Sequence, residues 1–179
     1  MKQLLVALIA LLMTMAAIAE GNSIYIEDFM VCPDSAVVVP VMLANTDSTR
    51  GMQFNLTLPD GLDLTKCELT PYSEKRNMNL FKSKKDRTCV MGLYPMGIIY
   101  FQPDTAAIMS LQFKAQSSFK GGEIIVWKCR GSSSENKNIP FADDTTNVTV
   151  PLADLIGIPI ENQSDGNSFF NLQVPLTHE

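Results

Sequence analysis

Few side chains in this 179-residue sequence could carry acid–base or nucleophilic chemistry. A serine or cysteine nucleophile needs an imidazole base beside it, and the single histidine, His178, is next to the last residue. A glycoside hydrolase needs only two carboxylates. Acidic residues usually bond to the local backbone when they lie beside turns. Those beside predicted turns that could supply the two carboxylates are Glu27, Asp28, Asp60, Asp63, Glu68, Asp143 and Asp144. We therefore expect a protein that is not an enzyme, with a small glycoside hydrolase as a remote alternative.

Calcium is the one metal for which ligands could be assembled. Asp143 and Asp144 with Asn147, or Asp60 with Asp63, could offer the oxygen atoms that calcium prefers. Neither set has the spacing of a calcium-binding loop, so solvated turns are the simpler interpretation. We expect no metal and no other cofactor, and keep calcium as the alternative.

Four cysteines are an even number, which permits two disulfides in an oxidising compartment. Three pairings are open. We favour Cys67–Cys89, because that bond would staple a long polar loop predicted between two neighbouring strands, and Cys32–Cys129 then follows by elimination. The sequence has no C-x-x-C spacing that would indicate a zinc site.

The first residues have the features of a secretory signal peptide. Lys2 is followed by an apolar run from Leu4 to Met13 and by the small-residue site Ala17-Ile18-Ala19. The run is short for a membrane span, and we expect no transmembrane segment. Residues 1–19 would direct export of the product to the periplasm, the cell surface or the medium, and would be removed from the mature protein.

The rest of the chain suits one domain, residues 20–152, followed by a tail, residues 153–179. The formal net charge is -5 and the pI is about 4.9, which argues against nucleic acid as a partner because no basic stripe could neutralise phosphates. One basic cluster, residues 82–87, is expected to be a solvated loop.

Alternation of apolar and polar residues dominates the chain and predicts strands. In the stretch TRGMQFNLTLPDGL, Met52, Phe54, Leu56 and Leu58 share one face, and a Pro-Asp-Gly turn follows. A helical turn could lie around residues 74–80. Nine strands are predicted, which indicates an all-β fold, a nine-stranded antiparallel β-sandwich: residues 23–29, 36–44, 49–58, 62–69, 87–93, 97–102, 106–116, 121–130 and 145–150.

The order of these segments resembles a cohesin domain. The stretch IEDFMVCPDSAVVVPVMLANTDSTRGMQFNLTLPDGL resembles the family's first three strands, and GIIYFQPDTAAIMSLQFKA resembles a later pair. The resemblance covers about residues 22–151. It implies a jelly-roll sandwich and a non-catalytic module that binds a dockerin-type protein through one sheet face.

That resemblance points to the polar side of the third strand as the binding face. Gln53, Asn55 and Thr57 would contact the partner, together with Tyr100 and Gln102 from a neighbouring strand. A carbohydrate-binding module that takes a polysaccharide is the alternative, because aromatic rings stack on sugars. Its candidate rings are those of Tyr72, Tyr94, Tyr100 and Trp127, although Trp127 is expected in the core.

Two further patterns resemble exported proteins of Gram-negative anaerobic bacteria. GIPIENQSDGNSFFNLQ, residues 157–173, resembles a C-terminal sorting-type segment, here without its final strand and lysines. Four D-[ST]-[AILVMT] matches resemble an O-glycosylation motif, although Asp-Ser and Asp-Thr pairs also make good turns. The acceptors would be Ser35, Ser48, Thr105 and Thr145.

Overall fold

A computed structural model describes residues 21–151 of the chain. Strands dominate this part of the molecule, and the only regular helix within it is a single turn. The elements are β1 (Ser23–Tyr25), β2 (Phe29–Met30), β3 (Ala36–Asn45), β4 (Thr49–Thr57), β5 (Leu62–Leu69), α1 (Pro71–Glu74), β6 (Met78–Lys85), β7 (Thr88–Pro95), β8 (Asp104–Ala115), β9 (Gly122–Ser133), β10 (Asn138–Pro140) and β11 (Asp144–Thr149).

The strands form two sheets packed face to face. Sheet A has the order β1-β3-β8-β5, and sheet B has the order β2-β11-β9-β4-β7-β6, with the short β10 paired to β9. The strand pairs are antiparallel except β2 with β11, which are parallel. The predicted all-β sandwich is confirmed. No helix among the described residues is long and apolar enough to cross a membrane.

Alternating side chains from both sheets fill the space between them. Met52, Phe54, Leu56 and Leu58 point inward from β4 and the residue after it, and all four are buried. The inward row of β8 is buried as well: Met109, Leu111, Phe113 and Ala115. Each large side chain contributes about 1.5–3 kcal/mol when it leaves water, so the predicted inward faces are the ones that hold the sheets together.

The predicted strand at residues 97–102 is wrong. Residues 96–103 form the connection from β7 to β8, with Gly97 near its beginning and Pro103 at its end. A single bridge remains, in which Thr49 and Phe101 exchange backbone hydrogen bonds of 2.9 and 2.8 Å. Gly97 has φ 140°, a backbone conformation that favours glycine, so a turn lies where the predicted strand should begin, and Pro103 directly after it lacks the N–H that a continuing ladder would need.

Strand β6 was not predicted. The chain was expected to be irregular over residues 70–86, with a helical turn near 74–80; the helix instead lies earlier, at Pro71–Glu74, and β6 follows. Met78 and Leu80 face inward, and Lys82 and Lys84 occupy the next two inward positions. Because β6 is an edge strand, these long side chains reach solvent, so the basic cluster is a strand and turn rather than a loop.

Neither predicted disulfide is formed, since Cys67, Cys89 and Cys129 are thiols in the structure. Cys67 lies on β5 of sheet A and Cys89 on β7 of sheet B. The loop that their bond was expected to staple is strand β6, so the reason for that pairing is lost. Burial raises the pKa of the Cys67 thiol to about 11 and that of the Cys129 thiol to about 12.

Candidate binding face

The outward side chains of sheet B form one continuous surface across β6, β7, β4 and β9. Cross-strand partners lie on the same side of a sheet. The strand register therefore places Asn55 between Val90 and Trp127, and Thr57 between Thr88 and Ile125. We call this surface the outer face of sheet B and define it by these residues: Gln53, Asn55, Thr57, Phe81, Ser83, Lys85, Val90, Gly92, Tyr94, Ile125, Trp127 and Arg130.

Three large apolar side chains on this face are open to solvent. Phe81 is 51% exposed, Tyr94 is 52% exposed and Ile125 is 43% exposed. Gly92 lies beside Phe81 in the register, and a Cβ atom at Gly92 would be 3.9 Å from the Cβ of Phe81. The missing side chain keeps this part of the face low, which leaves the Phe81 ring accessible from above.

Trp127 lies on this face and not in the core, so the expectation for it is wrong. It is half-buried, and its indole N–H donates to the hydroxyl of Thr57 at 3.0 Å. The ammonium group of Lys128 lies 4.6 Å from the ring centroid. Lys128 has φ 53° at the register shift between β4 and β9, so this bulge turns its side chain over the indole.

The structure brings four of the six predicted binding residues together. Gln53 and Tyr94 are exposed on the outer face of sheet B, whereas Thr57 is half-buried and engaged by Trp127. Asn55, in the middle of the face, is only 8% exposed. A partner would therefore meet the rim around Asn55 before its amide. Their role in binding stays a prediction.

Tyr100 and Gln102 are not part of this face. Both lie in the connection from β7 to β8, and the Gln102 side-chain carbonyl accepts a hydrogen bond from the Ser48 hydroxyl at 3.3 Å. Sequence reasoning missed Phe81, Ile125 and Arg130 as residues of the face. The signal that could have found Phe81 is its position between Leu80 and Lys82, where a polar outward residue would be usual on an edge strand.

Two acidic candidates for hydrolysis hold structural bonds. Asp60 forms an ion pair with Arg87 at 2.7 Å. Asp63 accepts hydrogen bonds from Gln116 at 3.1 Å and from Lys84 at 3.2 Å. The Gln116 bond, followed by the Lys84 bond, lowers the pKa of Asp63, whereas a general acid needs a raised pKa.

The candidate calcium ligands also have other bonds. Asp143 accepts the backbone N–H of Cys129 at 3.2 Å, and Asn147 donates its own backbone N–H to Asp28 at 2.7 Å. Within residues 21–151, no group of three or more histidine, cysteine, aspartate or glutamate side chains is arranged to hold a metal ion. His178 lies outside the described residues.

Comparisons with known proteins give a match in structure only. No family model matches the chain, and no curated protein matches its sequence. A non-cellulosomal cohesin from the hyperthermophilic archaeon Archaeoglobus fulgidus is similar, with a TM-score of 0.60 at 10% identity, covering 77% of this chain and 98% of that one.

Two cohesins solved in dockerin complexes are similar as well. The sixth cohesin of scaffoldin B from Acetivibrio cellulolyticus, solved with a Cel5 dockerin, has a TM-score of 0.58 at 19% identity and covers 73% of this chain and 99% of its own. A type I cohesin from Clostridium thermocellum, solved with the dockerin Doc918, has a TM-score of 0.58 at 11% identity, covering 72% and 99%. The described part of the chain therefore has the β-sandwich fold of cohesin domains.

Proposed function

We propose that the chain is a non-catalytic binding module that docks a protein on the outer face of sheet B. The observation that carries this proposal is the exposure of Phe81, Tyr94 and Ile125 on one face of a regular sheet. Aromatic and aliphatic side chains surrounded by polar ones are typical of the centre of a protein interface. The fold needs none of the three, since the core lies on the opposite side of the sheet.

A dockerin-type module is the proposed class of partner. The support is the cohesin fold, together with the similar cohesins that were solved bound to dockerins. Fold alone is weak ground for function, so the proposal rests jointly on the fold and on the exposed face.

Calorimetric titration of dockerin modules from the same organism tests the proposal. We expect one of them to bind the wild-type chain and to lose at least about tenfold in affinity in the double variant Phe81→Asp, Ile125→Asp. Val38→Asp is the matched control, because Val38 is 61% exposed on the outer face of sheet A. Binding that survives the double variant, or that Val38→Asp abolishes, would contradict the proposed face.

Polysaccharide binding is the second candidate, favoured by the exposed ring of Tyr94. The Trp127 indole offers less, because its N–H is used by Thr57 and Lys128 lies over the ring. A glycan array separates the two functions. Saturable sugar binding that Tyr94→Ala removes, without any dockerin binding, would replace the first proposal by the second.

We further propose export through residues 1–19, with residues 20–152 as the binding domain and 153–179 as a tail. The basic start, the apolar run and the A-x-A site support this division. N-terminal sequencing of the protein from its native host should begin at Glu20. A sequence that begins at Met1 or Lys2 would exclude a cleaved signal peptide.

O-glycosylation is a further proposal for the four motif hydroxyls. Each lies at the beginning of a strand or just before one, at β3, β4, β8 and β11, and each is at least partly exposed. The intact mass of native protein should exceed the mass of the sequence, and replacement of the acceptors by alanine should remove the excess. An unmodified mass would dismiss the idea. The acceptors are Ser35, Ser48, Thr105 and Thr145.

A further inference from the structure

We propose that β6, the open edge of sheet B, pairs with β6 of a second copy of the chain. The two strands would run antiparallel about a two-fold axis, so that sheet B continues from one molecule into the other. Three features of the strand support this pairing: its regularity, the direction of its free backbone groups, and the fit of its side chains to those of a second copy.

Among the described residues, β6 is the one sheet edge that is both long and regular. The edge strands β1 and β2 have three and two residues. The edge strand β5 has a register shift between Leu64 and Lys66. β6 has eight residues and pairs with β7 without a shift from Met78 to Lys85. Short strands and bulges are common ways to protect a sheet edge, and β6 has neither.

The backbone groups of alternate residues in β6 point away from β7. Just before the strand, the N–H of Met96 donates to the carbonyl of Asn77 at 3.0 Å. Bonded pairs alternate with unbonded pairs along an antiparallel ladder. The next pair is therefore unbonded, and it contains Pro95, which has no N–H, opposite Met78. The N–H and C=O groups directed to the free edge thus belong to four residues: Met78, Leu80, Lys82 and Lys84.

One antiparallel register uses all four of these residues. If the two-fold axis passes beside Phe81, Leu80 lies opposite Lys82 of the second copy. Met78 then lies opposite Lys84. The four bonded pairs give about eight hydrogen bonds between the strands. An axis beside Lys82 would instead place two lysines directly opposite each other, which is unfavourable. The lysines therefore favour the register centred on Phe81.

The outward side chains also match in this register. The two Phe81 rings, each 51% exposed in the single chain, would lie opposite each other at the axis. Asn79 would lie opposite Ser83 of the second copy. The side-chain nitrogen of Asn79 is buried and has no hydrogen-bond partner within residues 21–151. Rotation of this amide toward the Ser83 hydroxyl would give the donor an acceptor.

The basic half of β6 determines the direction of pairing. Lysines at a sheet edge usually oppose the addition of a strand, but those of β6 all lie in its second half, at Lys82, Lys84 and Lys85. Lys84 is already paired with Asp63 of β5 at 3.2 Å. In the antiparallel arrangement the basic half of each copy lies beside the uncharged half of the other. A parallel arrangement would place lysine beside lysine.

The consequence for binding rests on the proposed function. Pairing through β6 would set the outer faces of sheet B of two copies side by side, and one dimer would present two docking faces. The pairing itself needs no partner, so it is tested with the protein alone.

Disulfide trapping in the chain of residues 20–179 tests the register. In Phe81→Cys the two introduced thiols would be directly opposite in an unbonded pair, with Cα atoms about 4.5 Å apart, which is within the range of a disulfide. In the matched control Ser83→Cys the two thiols would be separated by four residues along the strand, or roughly 13 Å.

We expect Phe81→Cys to form a dimer in glutathione redox buffer at least about tenfold faster than Ser83→Cys. Peptide mapping by mass spectrometry should find the bond between the two introduced cysteines, which separates it from bonds of the native ones. Equal crosslinking of the two variants would overturn the proposed register. Absence of this bond in concentrated Phe81→Cys protein would overturn the pairing.

Amide hydrogen exchange of the unmodified chain of residues 20–179 is a second test. In a single molecule the N–H groups of Leu80, Lys82 and Lys84 face solvent, whereas those of Phe81 and Ser83 are bonded to β7. An increase in protein concentration from about 20 µM to about 1 mM covers the range of a weak interface. Exchange at the first three amides should slow at least about fivefold, and the free-edge amides of β5 should not change. Exchange that is independent of concentration at these three amides would exclude the pairing, whether or not the outer face of sheet B binds a dockerin module.

Discussion

The two faces of sheet B are made by the same strands, but different demands determine their residues. On the inner face, Phe54, Met91 and Val126 are fully buried, and folding alone accounts for them. On the outer face, Phe81 and Ile125 are large and apolar although no core lies above them. Alternation explains the inner face completely, whereas the apolar residues of the outer face need a reason outside the fold.

Replacement of one phenylalanine on each face separates these demands most strongly. Phe54→Ala should lower the free energy of unfolding by about 3–5 kcal/mol, because it opens a cavity between the sheets. Phe81→Ala should change it by about 0.5 kcal/mol or less, as exposed positions do. Urea unfolding of the two variants measures both values. A large loss in Phe81→Ala would show that the ring supports the fold and would remove the reason to assign it to binding.

Thiol reactivity compares the faces in a second way. Cys129 points inward, and burial followed by the nearby Asp143 raises its pKa from 9.0 to about 12. The thiolate is the reactive form, so alkylation of reduced, folded protein at pH 8 should be slowed about 100-fold or more. Ser83→Cys introduces a matched thiol on the outer face, which should react at an ordinary rate. Rapid labelling of Cys129 would mean that the inner face opens readily.

The sequence predicted which side chains face the core wherever only one of the two alternating sets of residues in a strand was apolar. In β4 and β8 the inward rows alternate with polar residues, so the faces, and with them the sandwich, could be predicted. The segment around Trp127 reads Ile124-Ile125-Val126-Trp127, so the residues on both sides of the strand are apolar. Alternation therefore could not predict which of these side chains face the core. The bulge at Lys128 then shifts which residues of the strand point inward.

Edge positions were the second source of error. The inward row of β6 changes from Met78 and Leu80 to Lys82 and Lys84, which breaks the expected pattern although the strand continues. Only the tertiary structure shows that this row lies at an open side, where lysines can reach water. Because this strand was missed, residues 82–87 were wrongly predicted as a loop, and Cys67 and Cys89 were predicted to form a disulfide that the structure does not contain.

The ion pair between Lys84 and Asp63 joins the open edge of sheet B to sheet A, and its effect should be small. The hydrogen bond from Gln116, followed by that from Lys84, lowers the pKa of Asp63 in the folded state. The carboxylate therefore stabilises the fold above the ordinary pKa of 3.8, and this contribution is lost as the pH falls through the lower folded value. Wild type should exceed Asp63→Asn in stability by about 0.2–1 kcal/mol at pH 7, since both side chains are well exposed. Denaturation at pH 7 and below pH 3 measures the gap, and a gap that stays constant would contradict the ionic origin.

The indole resonance of Trp127 is the most direct probe of the outer face of sheet B. The chain has one tryptophan, so a single indole N–H signal reports from the middle of this face, where it is bonded to Thr57. Titration of ¹⁵N-labelled protein with a dockerin module that binds it should shift or broaden this signal together with the amide signals of Gln53 and Val90. A saturated complex that leaves the indole signal unchanged, while amides of β3 and β8 move, would place the partner on sheet A and contradict the assignment.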